Sequence, residues 1–267
     1  MSAVSNTIAI FRKELGVYFT TAIAYAGFGA FAFLTGLLFV GSLNRYQSLT
    51  DSAVSHQQPE MLERLNVNDL IVMPMFSTAV WMFLFFVPFL TMRLFAEEKS
   101  QRTFELLMSA PLKTIEIVAG KFLAVAFMML VMSGIPMLFP AVLGFFTTGA
   151  AGSSGIEWTP IWSATLSLFL LGLCFAALGL FFSSLSSSQL VAALFTFAAL
   201  LLGFVLPILA ARLEGDWRVF LEFVAPTSHV GRGLQGRIHI QDLVYFGTTT
   251  LAFLVLTHRV VESERWR

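Results

Sequence analysis

The chain has 267 residues, 57% of them hydrophobic and only 12% charged, with 29 phenylalanines and a mean hydropathy of +0.80. Soluble domains carry roughly 25% charged residues and must cover their surface with polar groups, so both a soluble globule and a disordered chain are excluded. Sixteen basic and sixteen acidic residues cancel, leaving no overall basic field for nucleic acid; the solvent of this chain is lipid.

In chain order, residues 4–18 place Val4, Ile8, Phe11, Leu15 and Tyr18 on one helical face, with Ser5, Arg12 and Lys13 elsewhere. That pattern predicts an amphipathic helix lying in the membrane interface over 1–21. A span needs about 20 apolar residues, and charge-free runs mark the candidates. They lie between Glu14 and Arg45, Asp69 and Arg93, Lys121 and Glu157, Glu157 and Arg212, and Asp242 and Arg259. The fourth run is long enough for two helices, and its serine-rich stretch 183–189 reads as the turn between them. Six spans follow, at 22–43, 72–93, 118–146, 160–182, 189–211 and 240–258. The expected fold is an all-α polytopic membrane protein whose six-span domain covers 22–267. The first run is too long for a signal-peptide core and lacks a short basic tip before it.

Helix packing has its own local signs. Pro74, Pro88, Pro136, Pro140 and Pro207 fall in spans two, three and five, where neighbouring helices can satisfy the freed carbonyls. Ala22, Ala26 and Ala30, and Gly172 with Ala176, recur at four-residue spacing and allow close helix approach. The single cysteine, Cys174, excludes an intrachain disulfide and reads as a small core residue.

An even number of spans puts both termini on one side. With that side cytoplasmic, Arg12, Lys13, Arg93, Lys99, Arg102, Lys113, Lys121, Arg259, Arg265 and Arg267 lie inside. Arg45, Arg64, Arg212, Arg218, Arg232 and Arg237 lie outside. The bias favours this orientation. The four outer arginines from Arg212 onward are interleaved with Glu214, Asp216, Glu222 and Asp242, so ion pairing can hide their charge.

Two polar segments interrupt the spans. Residues 92–111 hold the densest charge in the chain, with Phe104, Leu107 and Met108 on one helical face and Gln101, Arg102 and Glu105 elsewhere, until Pro111 stops the helix. Such a helix either docks in a groove of a soluble partner or is a solvated connector. Residues 212–240, with Trp217, Phe220, Phe223, Pro226 and His229, are too polar to span and too aromatic to stand in water. Short helices dipping into the outer leaflet fit them.

Catalytic patterns are sparse. His56, His229, His239 and His258 lack ligand-like spacing, and the only Gly-Lys pair, Gly120-Lys121, has neither the upstream glycine nor the following hydroxyl of a phosphate loop. No Gly-x-Ser-x-Gly elbow occurs, and the span centres are nearly free of ionisable groups, which disfavours a proton relay. Glu97-Glu98 followed by Arg102 fits the Glu-Glu-x-x-x-Arg signature of CAAX-type intramembrane proteases, but neither histidine motif those enzymes need is present.

The same segment resembles the cytoplasmic signature of ABC-2-type transporter permeases. Glu97-Glu98-Lys99, Thr103-Phe104-Glu105-Leu106-Leu107, Pro111 and Glu116-Ile117-Val118-Ala119-Gly120-Lys121-Phe122 follow that family's pattern, except that Arg102 replaces its usual glycine. The stretches 223–229 and 240–246 are similar to its outer loop and sixth span, and the chain looks most like the gliding-motility-associated permease subunits. The resemblance implies a half-transporter of an ABC exporter in a bacterial inner membrane, with both termini cytoplasmic. No cofactor belongs to such a chain; ATP and Mg bind a separate ATPase subunit. The implied partners are that ATPase, a second permease (identical or homologous), the bilayer and an accessory extracytoplasmic subunit, with no nucleic acid. By the same resemblance Glu97, Glu98, Lys99, Arg102, Thr103 and Glu105 would touch the ATPase from a coupling helix, and Phe104, Leu107 and Met108 would fill its groove. Trp217, Phe220, Phe223 and His229 would cap the pathway. The rival readings are a scaffold subunit that recruits a cytoplasmic partner without transport, and the protease.

Overall fold

A computed structural model describes residues 3–58, 60, 65–109, 112–151 and 156–265. The helices, in chain order, are α1 (Ala3–Thr20), α2 (Ala22–Ser55), α3 (Met73–Thr91, entered through a π-helical turn, Asn68–Val72), α4 (Arg93–Ser100) and α5 (Phe104–Ser109). They continue as α6 (Thr114–Ala151), α7 (Trp158–Leu185), α8 (Gln189–Ala210), α9 (Asp216–Val224), α10 (Pro226–Leu234) and α11 (Ile240–Arg265). There is no strand among the described residues, and six helices are long and apolar enough to cross a membrane. The fold is an all-α polytopic membrane protein.

Several helices outrun the apolar stretches that announce them. α2 ends at Ser55 and α6 at Ala151, so they have 34 and 38 residues. At 1.5 Å per residue these are roughly 50 Å and 57 Å long, against about 30 Å of hydrocarbon. Hydropathy marks where lipid solvation ends; backbone hydrogen bonding continues past that point. Pro74 sits in the first turn of α3, where a missing N–H is harmless, while Pro88, Pro136, Pro140 and Pro207 are inside helices.

α3 and α7 form the centre, with 56% of each apolar window buried against 11% for α2. Phe76, Phe83, Met128, Leu168 and Phe175 fill the space between them and α6. Gly172 allows this closeness, since a Cβ there would lie 3.0 Å from the Phe83 ring and 3.2 Å from Met129. Ala176 is buried beside it, whereas Ala22, Ala26 and Ala30 face outward from this chain. Cys174 is buried in the same core.

The charged segment after α3 is not one helix. At Met92, which keeps helical dihedrals, α3 gives way to α4; there Ser183 of α7 accepts from the Phe95 and Ala96 amides (3.0 and 3.2 Å) and donates to the Met92 carbonyl (3.0 Å). One buried hydroxyl thus satisfies two of the donors that a helix start leaves open. The chain turns at Arg102, whose φ of 56° is left-handed. There the Thr103 amide donates to the Glu98 carbonyl (3.0 Å) and the Arg102 amide to the Lys99 carbonyl (3.2 Å), closing α4 in a Schellman arrangement. Pro111, expected to stop the helix, lies outside the described residues, as do Arg64 and Arg267.

Candidate functional site: an ion-pair knot at the α4–α5 end

At the end of the bundle where α3 passes into α4, charges from three separate helices meet. Lys121 of α6 is only 1% exposed. Its ammonium lies 2.9 Å from Glu14 of α1, 2.9 Å from Glu98 of α4 and 2.5 Å from the Leu94 carbonyl, with the Phe95 ring 5.1 Å away. Lys13 reaches the same Glu98 oxygen at 3.0 Å and Glu14 at 3.7 Å. Two cations and two carboxylates balance, as charges held out of water require. Burial works to lower the Lys13 ammonium, but Glu98 and Glu14 outweigh it and raise its affinity for the proton.

Gly120, next to Lys121, lets α1 lie directly on α6: a Cβ there would fall 2.8 Å from Ile10 and 3.0 Å from the Thr7 carbonyl. Asn6 donates to Glu116 of α6 (3.0 Å), and Tyr18 donates to the Leu90 carbonyl (2.5 Å). Burial raises the Tyr18 phenol, with the Glu14 charge adding to it, so it remains a donor. Arg93 pairs with Glu97 (2.9 Å) and reaches Thr21 between α1 and α2 (3.3 Å). Lys99 pairs with Glu264 of α11 (2.6 Å) and donates to the Ser184 carbonyl that ends α7.

These placements change how the charged segment is read. Glu97, Glu98 and Lys99 face their own chain. Phe104, expected to fill a partner's groove, is buried edge-on against Phe95 (6.4 Å between centroids) with the Lys99 ammonium 5.3 Å from its ring. It anchors α5 because the left-handed turn at Arg102 rotates that face inward. Leu107 packs half-buried beside it, and the side chain of Met108 lies outside the described residues. The exposed groups are Arg102, Thr103, Glu105 and Leu106, the last 71% exposed. Leu106 was not singled out by helical spacing. Lys121, Glu14, Lys13, Ser183 and Glu264 were also missed, although Lys121 and Glu14 are the charges that bound two apolar runs, a signal of ionisable groups near membrane depth.

The second polar segment lies at the other end of α7, where Ser163 donates to the Gly233 carbonyl (2.7 Å). Trp217, Phe220 and Phe223 project from α9, which buries none of its side chains within this chain. His229 is buried on α10, bonded to Asp242 of α11 (2.7 Å). Of the four arginines in this stretch, Arg218 pairs with Glu222 (2.9 Å) and Arg232 with Asp242. Among the described residues no three His, Cys, Asp or Glu side chains gather as a metal would need.

Fold and site together define a multi-pass membrane protein in which α1, α4 and α6 are tied by ion pairs at one end of the bundle. Residues 42–257 match the family described as ABC-2 family transporter protein, and the chain belongs to that family. It is therefore a permease subunit of an ABC transporter. The comparison with curated proteins finds no significant match.

Proposed function

We propose that this permease works as half of an exporter, driven by a separate ATPase subunit that binds ATP and Mg and grips the chain at α5. The observation behind this reading is the wiring of α5 into the bundle. Phe104 seats α5 on Phe95 and Lys99; Lys99 holds α7 and α11, and Glu98 one residue earlier holds α6 and α1. A displacement of α5 is therefore passed to α1, α3, α6, α7 and α11 as one body. Arg102, Thr103, Glu105 and Leu106 would form the contact, while Glu97, Glu98, Lys99 and Phe104 hold its position. All four lysines, Lys13, Lys99, Lys113 and Lys121, belong to this end, which favours placing it and both termini in the cytoplasm of a bacterial inner membrane.

A second permease copy or homologue would complete the pathway, with Trp217, Phe220, Phe223 and His229 near its far mouth. An accessory extracytoplasmic subunit fits that mouth, and the tail motifs favour the gliding-motility-associated subfamily. The protease reading needs a free Glu98 carboxylate, but Lys13 and Lys121 both hold one of its oxygens.

The test uses the full chain co-expressed with its ATPase subunit. Leu106→Asp should lower ATPase retention by about tenfold, as loss of a buried interface anchor does, while leaving the melting temperature of the isolated chain unchanged. Unchanged retention would remove α5 as the docking point, and retention without any ATP-driven transport would favour the scaffold reading.

A further inference from the structure

The end of the molecule opposite the knot holds a buried titratable group that the coupling reading does not use. His229 is 5% exposed and lines a cavity of ≈490 Å³ with Glu222, Phe223, Ser228, Arg232 and Gln241. Its Nδ1 lies 2.7 Å from Asp242 Oδ1, and its Nε2 lies 3.0 Å from the Phe223 carbonyl. A backbone carbonyl can only accept. The Asp242 oxygen also accepts from the Arg232 guanidinium. Both ring nitrogens therefore face acceptors, and only the imidazolium form donates from both. A neutral ring could take Arg232 as donor to Nδ1, but at 3.4 Å, and its lone pair would then oppose the carboxylate across 2.7 Å.

We propose that His229 is a proton-binding site whose occupancy fastens three helices together. In the imidazolium state α10 is tied to α9 through the Phe223 carbonyl and to α11 through Asp242. When the ring releases its proton to water in the cavity, it keeps a single N–H and can hold only one of those partners. Imidazole is the side chain whose charge ordinarily changes between pH 5 and 8. The clasp binds the proton and the opened state does not, so acidification closes it and rising pH opens it.

A defined set of groups faces the ring from each neighbouring element. From α11 come Asp242, Tyr245, stacked on the imidazole at 4.0 Å, and Phe246. From α9 come Phe223 and Glu222, the latter engaged by Arg218. α10 itself supplies Arg232. α3 and α8 carry no titratable side chain, and α7 carries only Cys174. The inference stands on this geometry alone and is independent of exporter direction and ATPase docking.

The experiment follows amide hydrogen exchange across α9 in the full chain in lipid nanodiscs from pH 5.5 to 8.5, corrected for intrinsic exchange. Wild type should exchange about tenfold faster at the alkaline end, as loss of one charge-assisted bond implies. Asp242→Asn supplies an amide donor to Nδ1, so a neutral ring satisfies both sides; α9 should stay protected and lose its pH dependence. His229→Gln should be poorly protected and equally flat, while His239→Gln should keep the wild-type profile. On wild type alone, ring-nitrogen NMR of 15N-histidine-labelled chain should find both His229 nitrogens protonated at pH 5.5 and one at pH 8.5. A flat wild-type profile, an Asp242→Asn chain with the wild-type pH dependence, or a ring that is singly protonated throughout would overturn the proposal.

Discussion

Arg102 occupies the position where the resembling family has glycine, and its backbone is in the left-handed region glycine prefers. Holding a non-glycine residue there costs about 1–2 kcal/mol, of which glycine's extra freedom in the unfolded chain offsets roughly 0.5–1. Arg102→Gly should therefore stabilise the chain by about 0.5–1 kcal/mol, seen as a higher midpoint in reversible unfolding; a lower midpoint would mean that the guanidinium has a stabilising role beyond the turn. Lys121 is the opposite case. Lys121→Met leaves Glu14 and Glu98 facing each other without their shared buried cation, and breaking such a pair costs about 3–5 kcal/mol. The double change Lys121→Met with Glu14→Gln should recover part of that loss. If Lys121→Met unfolds at the same midpoint as wild type, the knot contributes nothing to stability.

Among the elements, α5 is the smallest and its two hydrophobic faces do different jobs. Phe104→Ala removes the side chain that seats the helix on Phe95, at a cost of about 3 kcal/mol for a buried phenylalanine, and should release α5 to rapid hydrogen exchange. Leu106→Ala exposes no core and should leave that exchange unchanged. Equal protection of α5 in both variants would contradict the anchor role. α1 depends on one missing methyl group. Gly120→Val would drive a branched side chain into Ile10 and the Thr7 carbonyl, and backbone on one side leaves nothing to yield. Lys13 and Glu14 should then leave the knot, which a cysteine cross-link between Asn6 and Glu116 positions would report as lost. An unchanged cross-link yield would mean that α1 tolerates the larger side chain.

At the scale of the whole molecule, the knot and the His229 clasp sit at opposite ends of α7, which both engage, the first through Ser183 and Ser184 and the second through Ser163. Orientation in the bilayer is tested by single cysteines. Exposed positions Gln101 and Ser263 should resist an impermeant thiol reagent in intact cells, while Gln57, in the turn just past the end of α2, should label. Lys99 is a poor reporter because its side chain is buried against Glu264 and the end of α7. Labelling of Gln101 from outside would invert the topology and with it the placement of the ATPase.

What the sequence determines by itself is whatever depends on local composition. Too little charge for a soluble surface makes lipid the solvent; charge-free runs of span length place six helices; the 3.6-residue pattern before the first span identifies α1. Those properties follow from how each segment meets water or hydrocarbon, and no partner need be known. Only the tertiary structure decides which charges meet. Glu14 and Lys121 are 107 residues apart, and their meeting depends on α1 lying flat against α6, which Gly120 permits and no periodicity states. The inward turn of Phe104 likewise follows from a single left-handed residue, and the clasp at His229 from α11 returning beside α10. Ion pairing and hydrogen-bond direction are set by helix register and packing over long sequence separations, so the candidate site was legible as a charged segment, while its wiring was not.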